Sequence, residues 1–163
     1  MFPDDIERLA REVVEAATAR RLMVATAESC TGGLVSGSLT AVAGSSAVVE
    51  RGFVTYSNAA KAELLGVPAD LIEAQGAVSE AVARAMAEGA LSRSKADVAV
   101  AVTGVAGPGG GSPAKPVGLV HFAAAGPAGL IHIERRFGDI GREAVRLESV
   151  RVALGLLIDR IQA

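Results

Sequence analysis

The sequence predicts an α/β fold, a three-layer α/β/α sandwich around a mixed sheet of about five strands. Three observations lead there. Short apolar runs alternate with amphipathic stretches of helical period, the pattern of strands covered by helices. One of the runs, Val98-Ala99-Val100-Ala101-Val102, has no polar position, as a strand buried on both faces requires. Two further runs, Val117 to Ala125 and Leu130 to Phe137, are separated only by Gly126-Pro127-Ala128-Gly129, which reads as a hairpin and makes the sheet mixed.

The elements follow in chain order. Pro3 to Arg20 is an amphipathic helix, with Ile6, Leu9, Val13, Val14 and Ala17 on one face and Arg8, Arg11, Glu12 and Glu15 on the other. Leu22-Met23-Val24-Ala25 reads as a buried strand, and Leu34 to Ala43 as a helix. Val48 to Tyr56 is the next strand. Ser57-Asn58 starts a helix through Leu65, which Gly66 terminates. Pro68 to Gln75 is a short helical piece. Ser79 caps a helix to about Arg93, although Val82 stands where a capping box would carry an acid. Asp97 to Thr103 is the central strand, and Gly104 to Pro116 a loop rich in Gly and Pro. A long helix from Asp139 completes the chain, with Ile140, Ala144, Leu147, Leu154, Leu157, Ile158 and Ile161 as its expected buried stripe.

Composition narrows the function. At 163 residues the chain is expected to form one domain, residues 1–163. Half of its residues are hydrophobic but it has no Trp and only 3% aromatics, so the core must be built from Val, Leu, Ile and Ala. A formal charge of −2 supplies no field that would draw in nucleic acid or an anionic membrane. A single cysteine, Cys30, excludes an intrachain disulfide and a Cys-rich zinc site. Met1-Phe2-Pro3-Asp4-Asp5 does not resemble a signal peptide, and no apolar run approaches the ~20 residues of a membrane span. A soluble, cytoplasmic protein is expected. His132 alternates with Glu134 and Arg136 and should face water, while His121 should be half-buried. Neither belongs to a ligand-spaced cluster, so no metal and no cofactor are expected.

Four places carry possible chemistry. Thr26-Ala27-Glu28-Ser29-Cys30-Thr31-Gly32-Gly33 puts Ser29, Cys30 and Thr31 where a strand hands over to a helix. Unpaired N–H groups at a helix start favour an anion or a developing oxyanion, though Ser29 or Thr31 would equally serve as a cap. The loop after Thr103 and Gly104 lacks the Gly-Lys-Ser/Thr of a P-loop, and its prolines deny it the helix of a dinucleotide fingerprint. Its backbone can still approach a ligand, and Thr103 ends a buried strand where α/β sheets place polar contacts. Lys61, with Asn58 as cap, would fall in the first turn of a helix, where the dipole opposes a cation. That repulsion, with some burial, would lower its pKa and favour a neutral base. Tyr56 precedes it and could relay a proton; a solvated Lys and a packed Tyr is the plain alternative. Arg142 and Arg146, one turn apart near a helix start, suit a phosphate or a solvated face paired to Glu143 or Glu148.

Taken together these blocks resemble the CinA carboxy-terminal domain family. The match is carried by Ala27 to Gly33, Gly44-Ser45-Ser46, Arg51 to Asn58 with Lys61, and Gly76-Ala77-Val78-Ser79. Gly104-Val105-Ala106-Gly107-Pro108, Lys115-Pro116-Val117-Gly118 and Arg142-Glu143-Ala144-Val145-Arg146 complete it, in order from about residue 5 to 160. The resemblance implies deamidation of nicotinamide mononucleotide to nicotinate mononucleotide and ammonia, in pyridine-nucleotide recycling. It assigns the nucleophile to Ser29 and supporting roles to Tyr56 and Lys61. Ligand contacts are implied for Thr103, Gly104, Arg142 and Arg146, and the Cys30, Thr31, Gly32 and Gly33 backbone suits an oxyanion. Relatives often carry an amino-terminal domain resembling molybdopterin-binding proteins, and this chain is expected to lack that domain and its activity. The expected partners are the mononucleotide substrate and further copies of the chain as a homo-oligomer, with no nucleic acid and no membrane. A non-catalytic mononucleotide-binding module is the alternative, and a Cys30 nucleophile a second one.

Overall fold

The computed structural model describes residues 1–163. Five strands, β1 (Val24–Glu28), β2 (Val49–Val54), β3 (Val98–Gly104), β4 (Leu119–Gly126) and β5 (Gly129–Arg136), form one sheet in the order β2-β1-β3-β4-β5. β1 runs parallel to β2 and β3, and β3-β4-β5 is antiparallel, so the sheet is mixed. α1 (Asp4–Arg20), α2 (Leu34–Thr40) and α6 (Arg142–Gln162) cover one face, whereas α3 (Asn58–Leu65), α4 (Ala69–Gln75) and α5 (Glu80–Ser92) cover the other. This is the α/β/α sandwich that the alternating pattern predicts.

Alternation of side chains along the strands divides the core in two. On β3, Val98, Val100 and Val102 face α1 and α6, while Ala99 and Ala101 face α5. The alanine face lets α5 lie close to the sheet, and Gly89 does the same toward α3: a Cβ there would sit 2.0 Å from the Leu65 carbonyl oxygen. No helix is long and apolar enough to cross a membrane.

Several boundaries differ from expectation. β1 begins at Val24 and continues through Glu28, past the predicted end at Ala25, because Thr26, Ala27 and Glu28 keep ladder partners on both β2 and β3. The acid at its end, Glu28, still keeps its place in the ladder, since the carboxylate is satisfied by backbone N–H groups of α2. α6 begins at Arg142, not Asp139, with Gly141 at φ 99° ahead of it. Ile140 is therefore exposed in the preceding loop, and the buried stripe runs through Val145, Val150, Ala153, Leu154, Leu157 and Ile161. Ser57, not Asn58, caps α3, its hydroxyl accepting from Ala60 N–H at 3.0 Å.

His132 does not face water. It lies beneath α5, its Nε2 2.9 Å from His121 Nδ1, with the ring centroids 5.2 Å apart and the planes 24° from parallel. Near-coplanar rings with that N–N distance meet edge to edge in a hydrogen bond. Glu80 and Glu134 flank the outer nitrogens at 3.6 and 3.7 Å. Alternation counted from Glu134 and Arg136 fails here because α5 covers this part of the edge strand.

Candidate active site

β1 and β2 are parallel neighbours whose outgoing connections leave toward opposite faces: β1 leads into α2, and β2 returns to β3 through α3, α4 and α5. A crevice forms at the carboxyl ends of such strands. Here it is a cavity of about 300 Å³ with Ser29, Lys61, Thr103, Gly104, Tyr56 and Arg142 in its wall. A cavity of about 360 Å³ between α1 and α2 contains no such constellation.

Ser29 directly follows β1, its N–H donating to the Val102 carbonyl at 2.9 Å, so the sheet fixes its backbone. Lys61 reaches it from α3. Lys61 Nζ lies 3.0 Å from Ser29 Oγ and donates to the Thr55 carbonyl at 2.8 Å. The side chain is 1% exposed and no carboxylate pairs with it. Burial holds the Lys61 amine below the usual lysine range. With Ser57 as cap, Lys61 falls one position beyond the first turn, so desolvation and not the helix dipole is the physical cause.

The turn between Ser29 and α2 is held from several sides. Glu28, fully buried, turns its carboxylate onto the Val35 and Ser36 N–H groups at 2.8 and 3.0 Å. The start of α2 thus has its anion already, supplied by the chain itself. Gly32 N–H closes onto Ser29 O and Leu34 N–H onto Thr31 O, both at 3.0 Å. Gly32 and Gly33 take φ of 56° and 101°, backbone that a residue with a side chain rarely adopts. The N–H groups of Cys30 and Thr31 make no hydrogen bond within the protein. Burial pushes the Cys30 thiol up to about 12, which leaves it protonated at neutral pH. The Thr31 side chain is buried, its hydroxyl lacks a partner, and it does not line the cavity.

The remaining predicted residues separate. Arg142 sits at the mouth, donating to the Tyr56 hydroxyl at 2.8 Å and to the Gly107 carbonyl at 2.9 Å. Tyr56 is 60% exposed and is bound to Arg142, with no hydrogen bond to Lys61 or Ser29. Thr103 donates to the Ala77 carbonyl at 2.9 Å. Gly104 is required by packing, since a Cβ would lie 2.6 Å from Val120 Cγ2. Arg146 does not share the mouth with Arg142: its guanidinium donates to the Cys30 and Thr31 carbonyls. Sequence reasoning missed the structural task of Glu28 and the Thr55 carbonyl that holds Lys61. An acid inside the apolar run that ends in Ser29 was the available signal for the first; the second is backbone and leaves none. No three His, Cys, Asp or Glu side chains converge as a metal site.

Comparison with known proteins places the chain in one family. The family model for the CinA C-terminal domain matches residues 6–161. A CinA-like protein from Synechococcus sp. (strain RCC307) is 55% identical over 157 residues, covering 96% of this chain and 38% of that protein. The chain thus spans well under half the length of that relative. Among solved structures, the competence/damage inducible protein CihA from Agrobacterium tumefaciens superimposes with a TM-score of 0.97 at 57% identity, covering 100% of this chain and 99% of that one. The competence damage-inducible protein A (ComA) from Klebsiella pneumoniae gives a TM-score of 0.91 at 38% identity, covering 96% and 97%.

Proposed function

The chain belongs to the CinA C-terminal domain family, and we propose that it is a cytoplasmic nicotinamide-nucleotide amidohydrolase that converts nicotinamide mononucleotide to nicotinate mononucleotide and ammonia. What supports this most is the 3.0 Å contact between Lys61 Nζ and Ser29 Oγ, made by a buried lysine with no carboxylate partner. A hydroxyl attacks a carboxamide only if its proton has somewhere to go. A neutral amine at hydrogen-bond distance provides that place.

The steps follow from the residues. Ser29 Oγ bonds to the carboxamide carbon as its proton passes to Lys61. Charge accumulates on the carbonyl oxygen, where the free N–H group of Cys30, in the cavity wall, is an available donor. Lys61 then returns the proton to the nitrogen, and ammonia leaves an acylated Ser29. Water, deprotonated by the same amine, attacks the ester and frees the acid. Because Lys61 touches Ser29 directly, Tyr56 is not needed as a relay and serves with Arg142 at the mouth. Arg142 is the residue for the phosphate, exchanging Tyr56 and Gly107 for phosphate oxygens. The buried thiol of Cys30 argues against it as nucleophile.

The experiment is ammonia release with nicotinamide mononucleotide, nicotinamide, the dinucleotide and glutamine offered separately. Ammonia from the mononucleotide alone, or far faster than from the rest, is expected. Binding of the mononucleotide with no turnover at any pH at which the protein stays folded would leave a binding module instead.

A further inference from the structure

We propose that Arg146 is a positioning residue of the oxyanion site, which fixes the Cys30 N–H by holding the peptides of the nucleophile turn through the Cys30 and Thr31 carbonyls, and that it does not contact the substrate's phosphate. The chemistry of this inference rests on the amidohydrolase reading above.

Arg146 Nε donates to the Cys30 carbonyl at 3.1 Å and Nη2 to the Thr31 carbonyl at 3.3 Å. The guanidinium forms no ion pair with any Asp or Glu; Glu148, its nearest sequence candidate, pairs with Arg151 at 3.0 Å. Its charge is applied to two backbone carbonyls. The Cys30–Thr31 peptide is trans, and a trans peptide sets its N–H opposite its C=O. With the Cys30 carbonyl drawn toward α6, the Thr31 N–H is directed away from it. The preceding peptide is fixed similarly, because its carbonyl, that of Ser29, accepts from Gly32 N–H at 3.0 Å. The Thr31–Gly32 peptide, whose carbonyl Arg146 holds, carries the Gly32 N–H that ties the Ser29 carbonyl, and the Cys30 N–H on that last peptide is left free in the cavity wall beside the nucleophile. A cation at the carbonyl end of a peptide also strengthens its N–H as a donor, since hydrogen-bonded groups polarise one another. The first N–H groups of α2 are not an alternative, being occupied by Glu28.

A phosphate role would require Arg146 to abandon both carbonyls. Arg142, one turn earlier, already lines the cavity, whereas Arg146 does not. The turn is also built closely around the guanidinium: a Cβ on Gly32 would lie 3.3 Å from Nη2.

The test uses Arg146→Lys and Arg146→Ala beside the unmodified chain and Arg142→Ala. Ammonia release is measured from nicotinamide mononucleotide and from nicotinamide riboside, which lacks the phosphate. For the Arg146 variants kcat should fall by about 10- to 100-fold, short of the ~10²–10³ for deleting an oxyanion donor outright. The fall should be equal on the two substrates, with KM for the mononucleotide unchanged. Labelling of Ser29 by a fluorophosphonate, read by mass, needs the same Cys30 N–H but not the substrate, and should slow in parallel. Arg146→Lys retains the charge and one donor, so it tests the inference even if Arg146→Ala does not fold. A rise in KM confined to the mononucleotide would make Arg146 a phosphate contact and overturn the inference. So would unchanged kcat and labelling in folded Arg146→Lys. If the unmodified chain releases no ammonia, the amidohydrolase reading fails separately, and the labelling rates still decide the role of Arg146.

Discussion

Replacing Lys61 by Met removes the proposed base while keeping a flexible side chain of similar length, and its effect on stability can be worked out from the structure. Nζ is buried and holds the Ser29 hydroxyl and the Thr55 carbonyl. Burial lowers its pKa in the folded state, whereas the unfolded chain keeps the ordinary value near 10.5. Between those two values the unfolded state carries a proton that the folded state lacks, so stability rises with pH across the interval. One proton contributes at most about 1.4 kcal/mol per pH unit. Lys61→Met lacks this term. At the low end of the interval Met is spared the cost of an amine in an apolar site, but leaves the Thr55 carbonyl unpaired, a loss of about 1–3 kcal/mol. Urea unfolding of both proteins at intervals from about pH 7 to 10 should show the unmodified chain gaining on the variant as pH rises. Turnover should meanwhile be lost by about 10²–10⁴, the usual contribution of a general base. Parallel stability curves over the whole range would mean that Lys61 titrates alike folded and unfolded. No neutral amine would then stand beside Ser29, and the mechanism would lose its base.

Ser29→Ala should lower kcat by about 10³-fold or more, as nucleophile deletions do, whereas Cys30→Ala should be mild because that thiol is protonated; the reverse ranking in an ammonia assay would transfer the nucleophile to Cys30. Arg142→Ala should raise KM for the mononucleotide about 10-fold or more, the equivalent of one or two charge-assisted hydrogen bonds, while leaving the riboside nearly unaffected; equal changes on both substrates would remove the phosphate from Arg142. Burial, reinforced at His121 by the neighbouring His132, lowers the pKa of both rings, against the opposing pull of Glu134 and Glu80. Each unfolded ring therefore binds protons that its folded counterpart refuses, and stability should decline as pH falls below about 6.5. His132→Gln, which does not titrate, should flatten that decline in chemical denaturation, and an unchanged slope would refute the assignment.

Much of the layer order was legible because it rests on period and burial, which residue types report directly. The all-apolar Val98 to Val102 run reads as a strand covered on both faces, and Gly126 to Gly129 as the turn of a hairpin, and both are found. Boundaries were lost where a polar group is satisfied by something distant. The first strand was expected to end at Ala25, yet it runs on to Glu28, whose carboxylate reaches Val35 and Ser36 on α2. The same limit governs the site. Ser29 and Lys61 could be nominated from their positions, but they are 32 residues apart and only the packing of α3 against β2 and α5 brings Nζ to Oγ. Helix phase put Arg142 and Arg146 on one face; it could not tell that one guanidinium reaches a hydroxyl at the mouth and the other the back of the nucleophile turn. A charged side chain without a charged partner is costly to bury. Lys61, which lacks one, sits against Ser29, and Glu28 is satisfied by backbone N–H groups of the adjoining helix. Their cost falls on the residues that set the nucleophile's geometry, as expected where stability is given up for a preorganised site.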